Sequence, residues 1–198
     1  MGNSHLPRDS YNRNAYLSHF RGQSTRLSGH DYSAPNIYHI VTCAKGIHGR
    51  GPLFMHPTLR ALLQTNLANL PLRYPSIYLE APVVMPDHVH FLIWMNKWPD
   101  RLQGEKAPEL WEVMRSYKSK VAVEWIDYVK KNHPTWLAKI WQQGYYDRMM
   151  KVADLDNARR YISGNPNQTD KSSGWEAFYE YMGWTKPGKS RSLPQNPS

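Results

Sequence analysis

Two histidines separated by one residue form the pattern with the clearest chemical meaning in this sequence. His88 and His90 lie in residues 85–95, where a Pro-Asp turn leads into apolar, β-branched and aromatic residues typical of a strand. Successive side chains of a strand point to opposite faces, so both imidazoles are expected on one face. Two imidazoles at this spacing can bind one metal ion. Taken alone, the pair is better explained as a satisfied polar pair at a strand end, because the pattern is short and common.

A second set of reactive side chains lies further along the chain, in a segment that predicts a helix over residues 155–165. Tyr161 and Asn165 are four residues apart, so a helix presents the phenol and the amide on the same side. Arg159 and Arg160 add positive charge beside them. A tyrosine packed at a helix edge and an asparagine at a helix C-terminus are the alternatives that need no function.

The elements that must position these residues follow the order β-α-β-β-α-β-α. The first six elements predict an α+β fold, a ferredoxin-like sandwich in which two helices cover one face of an antiparallel four-stranded sheet. The last helix, which carries Tyr161, is an addition to that fold. Strands are expected over residues 37–44, 76–84, 88–95 and 140–150, and helices are expected to begin at Pro57, Pro108 and Leu155.

Composition favours a nucleic-acid partner. The 198 residues include 25 Lys and Arg against 16 Asp and Glu, a formal net charge of +9, together with 13 Tyr and 8 Trp. Basic charge with many flat aromatic rings suits a polyanion whose bases can stack. The single cysteine, Cys43, excludes an internal disulfide framework and a cysteine-rich zinc site. No stretch approaches about 18 apolar residues, so we expect a cytoplasmic protein without a membrane partner.

The chain divides by composition into four segments. Residues 1–34 predict a polar, basic N-terminal arm, and residues 35–170 hold the expected sandwich with its added helix. Residues 171–185 form an aromatic C-terminal extension that we expect to pack on the domain. Residues 186–198 are rich in Pro, Gly, Ser, Lys and Arg, and predict a disordered basic tail.

Four blocks in order resemble one family. Residues 26–33, 85–92, 141–147 and 160–166 are similar to the corresponding motifs of the REP-associated tyrosine transposases, which belong to the single-tyrosine HUH endonucleases and transposases. The His-Val-His strand and the Tyr-Ile-x-x-Asn-Pro helix are the most specific of these motifs. The sequence departs from the family pattern at Arg148, where a histidine is more usual, and at residues 167–170.

The resemblance implies a chemistry for the two motifs. His88 and His90 would bind a divalent cation, Mg²⁺ or Mn²⁺, with Asn165 as a third ligand. Tyr161 would attack a phosphorus of single-stranded DNA, which leaves a 5′-phosphotyrosine and a free 3′-hydroxyl. A second DNA end could then attack the stored bond, so that strands are nicked and rejoined without an external energy source.

The resemblance also implies a DNA partner, single-stranded DNA that forms a hairpin of the REP type, bound by a monomer or a homodimer. Basic side chains outside the catalytic set are expected to contact phosphates. These are Arg21, Arg26, Lys45, Arg50, Arg148, Arg159 and Arg160.

Two other functions remain open at this point. A ferredoxin-like module could bind single-stranded DNA or RNA on its sheet without cutting it, although such modules carry a glycine-aromatic signature in the third strand where this chain has histidines. A nickase of replication or conjugation would share the chemistry, but such proteins usually carry larger additional domains.

Overall fold

The chain divides into two units, residues 1–30 and residues 31–198. Four antiparallel strands form one sheet in the larger unit. The computed structural model describes residues 29–45 and 52–164. The strands lie in the order β2-β3-β1-β4, which is the order of a ferredoxin-like sheet, and the predicted α+β fold is confirmed. Their bounds are β1 Asn36–Cys43, β2 Tyr78–Val84, β3 His88–Met95 and β4 Tyr146–Met149.

The helices lie where the sequence pattern predicts them, with small differences at their ends. Pro57 begins the first helix, and a capping box between Glu109 and Glu112 begins the long one. The bounds are α1 Pro57–Ala68, α2 Leu70–Arg73, α3 Leu110–Asn132 and α4 Leu155–Gly164, with 3₁₀ turns at Leu53–Met55, Pro99–Leu102 and Val152–Asp154. Across the described residues, no helix is long and apolar enough to cross a membrane.

The main hydrophobic core lies between one face of the sheet and the helices α1 and α3. Alternate strand residues such as Ile40 and Phe91 point to this face, where they meet Leu63 of α1 and Trp125 of α3. All four of these side chains are fully buried. The apolar stripes of the two helices therefore cover one face of the sheet, as the sequence predicts.

Helix α4 covers part of the opposite face. Its buried residues Leu155 and Ile162 pack with Ile37 of β1 and Leu92 of β3 in a second, much smaller cluster. This helix therefore does not join the main core. It lies on the face that also carries the histidines of β3, because Leu92 is two residues from His90.

A β-bulge in β2 changes which side chains face α4. Glu80 pairs with Leu92, whereas Val83, three residues later, pairs with His90, only two residues earlier in β3. One extra residue therefore lies in β2, and Ala81 adopts a left-handed conformation with φ 49° there. Glu80 and Val83 consequently point to the same face, although their odd spacing would place them on opposite faces of a regular strand.

The fourth strand is shorter than predicted. Regular pairing with β1 covers Tyr146–Met149, whereas Trp141 makes only an isolated bridge to Ala44. Gly144 has φ 71°, which interrupts the extended backbone between these two pairings. The Lys118 ammonium of α3 donates hydrogen bonds to the carbonyl oxygens of Gln142 and Gly144, so a side chain satisfies backbone groups that a longer strand would have paired.

Several predictions concern residues outside the described ranges. The N-terminal arm up to residue 28, the extension 171–185 and the tail 186–198 are among them, as are the last residues of the predicted domain. The same holds for Arg21, Arg26, Arg50 and Asn165.

Candidate active site

Two buried imidazoles meet at the start of β3. His88 and His90 are each 4% exposed, and their Nε2 atoms contact each other on the face of the sheet that α4 partly covers. The Nδ1 of His88 donates a hydrogen bond to the Asp87 carboxylate at 2.5 Å. This bond leaves the lone pair of the His88 Nε2 turned toward His90, in the tautomer that a metal ligand requires.

A third histidine joins the pair from the neighbouring strand. His39 of β1 is 8% exposed, and its ring stacks on His90 with centroids 5.6 Å apart. Burial lowers its pKa to about 4, and the electrostatic effects of Arg148 and His88 act in the same direction. His39 is therefore neutral near pH 7. Its Nε2 has no hydrogen-bond partner among residues 29–45 and 52–164.

The Tyr161 ring lies at the edge of this histidine group. Its centroid is 6.0 Å from that of His90 and 6.3 Å from that of His39, and it stands nearly perpendicular to both rings. The side chain is 41% exposed, although its helix neighbour Ile162 is fully buried. The phenol thus lies between solvent and the buried imidazoles, within reach of an external substrate.

A carboxylate on β2 connects the sheet to the tyrosine helix. Arg159 Nε donates to Glu80 Oε1 at 2.5 Å, and Arg159 also donates to Asp156 Oδ1 at 2.6 Å. The second oxygen of Glu80 accepts a hydrogen bond from Trp94 Nε1 at 3.0 Å. The hydrogen bond from Arg159 is the main reason why the pKa of Glu80 lies below its ordinary value. Arg159 therefore fixes α4 to the sheet two residues before Tyr161.

The other described basic residues that are predicted to bind phosphate are exposed and, unlike Arg159, form no salt bridge in the described ranges. Arg148 of β4 pairs directly with His39, so its exposed side chain lies on the histidine face. Arg160 is exposed and donates a hydrogen bond to the side chain of Asn157 at 2.6 Å. Lys45 is exposed just beyond the end of β1.

The side chains of this site supply some, but not all, of the ligands that a divalent cation needs. Two converging imidazole nitrogens and a carboxylate behind one of them are the inner and outer groups of a typical histidine-metal site. Within the described ranges, no group of three or more His, Cys, Asp or Glu side chains could hold a metal ion. A complete site therefore needs a further ligand, and the predicted one, Asn165, lies outside those ranges.

The structure brings together His88, His90 and Tyr161, which were predicted as site residues from the sequence. It also places His39 beside them, which the sequence analysis did not identify. His39 stands in the apolar run of β1 with no motif around it. Only the strand register shows that His39 lies beside His90. Val41 pairs directly with His90, and His39 lies two residues before Val41 on the same face of β1. Alternation along β1 predicts which residues share a face with His39, but no local pattern predicts that β1 pairs with β3.

A family of known proteins matches most of the domain that carries this group of side chains. The family described as "Transposase IS200 like" matches residues 35–165, so the chain belongs to this family and is a transposase. The resemblance to the REP-associated tyrosine transposases is thereby confirmed.

Two other proteins are similar to this chain. A protein of uncharacterised function from Haemophilus influenzae is 23% identical over 175 residues, which cover 77% of this chain and 91% of the relative. The solved structure of a REP-associated tyrosine transposase bound to a REP hairpin matches 78% of this chain and 77% of its own, with a TM-score of 0.53 and 17% identity. This second likeness concerns the fold.

Proposed function

We propose that this transposase is a metal-dependent endonuclease and strand transferase of single-stranded DNA, in which Tyr161 forms a 5′-phosphotyrosine intermediate. The position of Tyr161 is the observation that carries the proposal. Its ring is partly exposed and lies 6.0 Å from that of the buried His90. A purely structural tyrosine on α4 would have no need of buried imidazoles beside it.

His88 and His90 are the proposed metal ligands, with Asn165 as the third. When bound, Mg²⁺ or Mn²⁺ would polarise the scissile phosphate as a Lewis acid. Asp87 holds the His88 ring in the required tautomer through its hydrogen bond to Nδ1. His39 stacks on His90 and limits the rotation of that ring.

Tyr161 is the proposed nucleophile. Its phenol oxygen would lose its proton to solvent and form the bond to phosphorus while the bond from phosphorus to the 3′-oxygen breaks, and the departing 3′-oxygen would take a proton from solvent. An ordinary phenol has a pKa of about 10 and attacks poorly near neutral pH. The stored phosphotyrosine could then be attacked by a second DNA end.

The proposed substrate is single-stranded DNA that folds into a hairpin, as in the complex of the structural relative. A net charge of +9 supports a polyanionic partner. Phosphate contacts are proposed for Arg148, Arg160 and Lys45, which form no salt bridge to an acidic side chain in the described ranges. They are also proposed for Arg21, Arg26 and Arg50. Arg159 could contribute only while shared with Glu80.

A covalent-adduct assay tests the proposal. The full-length protein is incubated with labelled hairpin-bearing single-stranded DNA and Mn²⁺, and the adduct is detected on a denaturing gel. Tyr161→Phe keeps the ring and should abolish both nicking and the adduct while DNA binding persists. Tyr145→Phe and Tyr146→Phe are the matched controls and should still form the adduct.

Mass spectrometry of the trapped adduct identifies the modified residue. A nucleotide attached to Tyr145 or Tyr146, or normal cleavage by Tyr161→Phe, would show that the assignment is wrong. Tight DNA binding by the wild-type protein with no adduct under any metal condition would instead favour the non-catalytic binding module.

A further inference from the structure

A group of aromatic rings and cations surrounds the end of β3 on the histidine face. Lys97 Nζ lies 4.7 Å from the ring centroid of Tyr78, 4.4 Å from that of Trp94 and 5.0 Å from that of Trp98. The Arg101 guanidinium lies 4.6 Å from the Trp98 ring. We call these five residues, Tyr78, Trp94, Lys97, Trp98 and Arg101, the aromatic platform.

The platform lies on the same face of the sheet as the proposed catalytic residues. Trp94 follows His90 by four residues in β3, so both side chains point to that face, and Tyr78 of β2 pairs directly with Trp94. The distance along the strand from His90 to Trp94 is about 13 Å. A single strand that reaches the histidines could therefore continue onto the platform within a few nucleotides.

The loop that carries Lys97 and Trp98 is held in place by a buried asparagine. Asn96 is 2% exposed and has φ 48°, a left-handed conformation that asparagine tolerates. Its side-chain oxygen accepts a hydrogen bond from the Ser76 hydroxyl, and its amide donates to the backbone oxygens of Ser33 and Pro108. The backbone that carries Lys97 and Trp98 is thus fixed before any ligand binds, which lowers the entropic cost of binding.

The exposure and charge of the platform suit a nucleic acid strand. Tyr78 is 40% exposed, and Lys97 and Arg101 are exposed, with no salt bridge to an acidic side chain anywhere in residues 29–45 and 52–164. Aromatic faces stack bases without sequence preference, while unpaired cations beside them neutralise phosphates.

We propose that the aromatic platform is a single-stranded DNA subsite, in which an unpaired base stacks on Tyr78 or Trp98 and its phosphates contact Lys97 and Arg101. The inference rests on the proposed function in taking single-stranded DNA as the ligand. It adds a binding site that is separate from the cleavage chemistry, and it predicts that bases, and not phosphates alone, contribute to affinity.

Equilibrium binding of the full-length protein to two probes tests this subsite. The probes are a short oligothymidylate and an abasic strand of the same length, measured by fluorescence anisotropy. Stacking of one base is worth about 5- to 150-fold in affinity. Trp98→Ala should therefore weaken oligothymidylate binding by about this factor and leave abasic binding almost unchanged, whereas Trp98→Phe should retain most of the affinity. Lys97→Met should reduce the salt slope on both probes by about 0.7 log units per log unit.

A matched control exists on the other side of the sheet. Trp111 of α3 is half-buried beneath the Arg115 guanidinium, which lies 4.8 Å from its ring centroid, so it forms a comparable pair away from the histidine face. Trp111→Ala should leave binding to both probes unchanged. Circular dichroism establishes that each variant is folded. Equal losses for Trp98→Ala and Trp111→Ala, or equal losses on the two probes, would overturn the proposal.

The outcomes separate the subsite from the proposed function. If the wild-type protein forms the Tyr161 adduct and Trp98→Ala binds oligothymidylate normally, the subsite is wrong and the function stands. If no adduct forms and Trp98→Ala still loses base-dependent affinity, the subsite stands and the nuclease does not. Unchanged DNA binding would also be the result if the platform instead serves a protein partner.

Discussion

The two faces of the sheet use buried side chains in opposite ways. The face under α1 and α3 is filled with large side chains that are fully buried, among them Phe91, Tyr117 and Trp125. The other face has a small apolar cluster around Leu92 and, next to it, three histidines that are at least nine-tenths buried. Burying imidazoles away from water has a free-energy cost, whereas burying aromatic and aliphatic surface stabilises the fold. One face therefore supplies the stability that allows the other to hold reactive polar groups.

The helices that cover the two faces differ accordingly. Helix α3 spans 23 residues and has seven buried side chains, whereas α4 spans 10 residues and has two, Leu155 and Ile162. A helix as short as α4 is only marginally stable alone in water. Its position depends on this small contact and on the Glu80–Arg159 pair. The tyrosine is therefore held by a few local contacts, which can change without unfolding the domain.

The largest expected effect comes from the histidine face and concerns activity. His90→Ala should reduce cleavage by more than about 100-fold, since even residues that only support metal ligands contribute 10- to 100-fold. Electron paramagnetic resonance should show less bound Mn²⁺ in this variant, independently of turnover. His133→Ala, at the end of α3, is the control and should keep both properties. Normal Mn²⁺ binding by His90→Ala would contradict the metal role of this face.

The next effect contrasts stability on the two faces. Leu63→Ala in α1 should lower the global free energy of unfolding by about 2–5 kcal/mol, because it leaves a cavity in the main core. Ile162→Ala should cost less globally, because α4 can detach while the sheet stays folded with α1 and α3. Denaturant unfolding gives the global values, and hydrogen exchange should show faster exchange confined to α4 in Ile162→Ala. Equal global losses would mean that α4 and the main core unfold as one unit.

The smallest effect concerns the ion pair under α4. Glu80→Gln should loosen α4 and reduce adduct formation by a few-fold, with little change in DNA affinity, whereas Lys120→Met, which removes a surface pair with Glu124, should have no such effect. The pKa of Glu80 lies below its ordinary 4.5. Its ionised form therefore stabilises the protein above pH 4.5, and this contribution is lost as the pH falls through the lowered pKa. Denaturant unfolding of Glu80→Gln should accordingly depend less on pH in the acid range than that of the wild type.

Much of this arrangement could be predicted from local patterns. The alternation in β3 gave the common face of His88 and His90, and helical spacing placed Tyr161 beside the buried stripe of α4. The position of His39 could not be predicted in this way, because it depends on the pairing of β1 with β3 far along the chain. Periodicity also fails at the bulge in β2, where an extra residue turns Glu80 toward α4.

The start of β4 differs from the prediction for a similar reason. The aromatic run before it has strand-like composition, but Gly144 interrupts the backbone, and Lys118 of α3 binds the carbonyl oxygens that an extended strand would have paired. Tertiary contacts of this kind override local propensity. The aromatic platform was likewise not predicted from the sequence, because it combines Tyr78 of β2 with residues of β3 and of the segment that follows it.

The bulge in β2 has a further consequence for the behaviour of the protein at high concentration. β2 is an outer strand of the sheet, and an exposed outer strand is a template for pairing with another polypeptide and hence for aggregation. The left-handed Ala81 and the adjacent Pro82, which has no backbone N–H, interrupt this edge in its middle. The irregularity that turns Glu80 toward the tyrosine helix thus also protects the sheet from intermolecular strand addition.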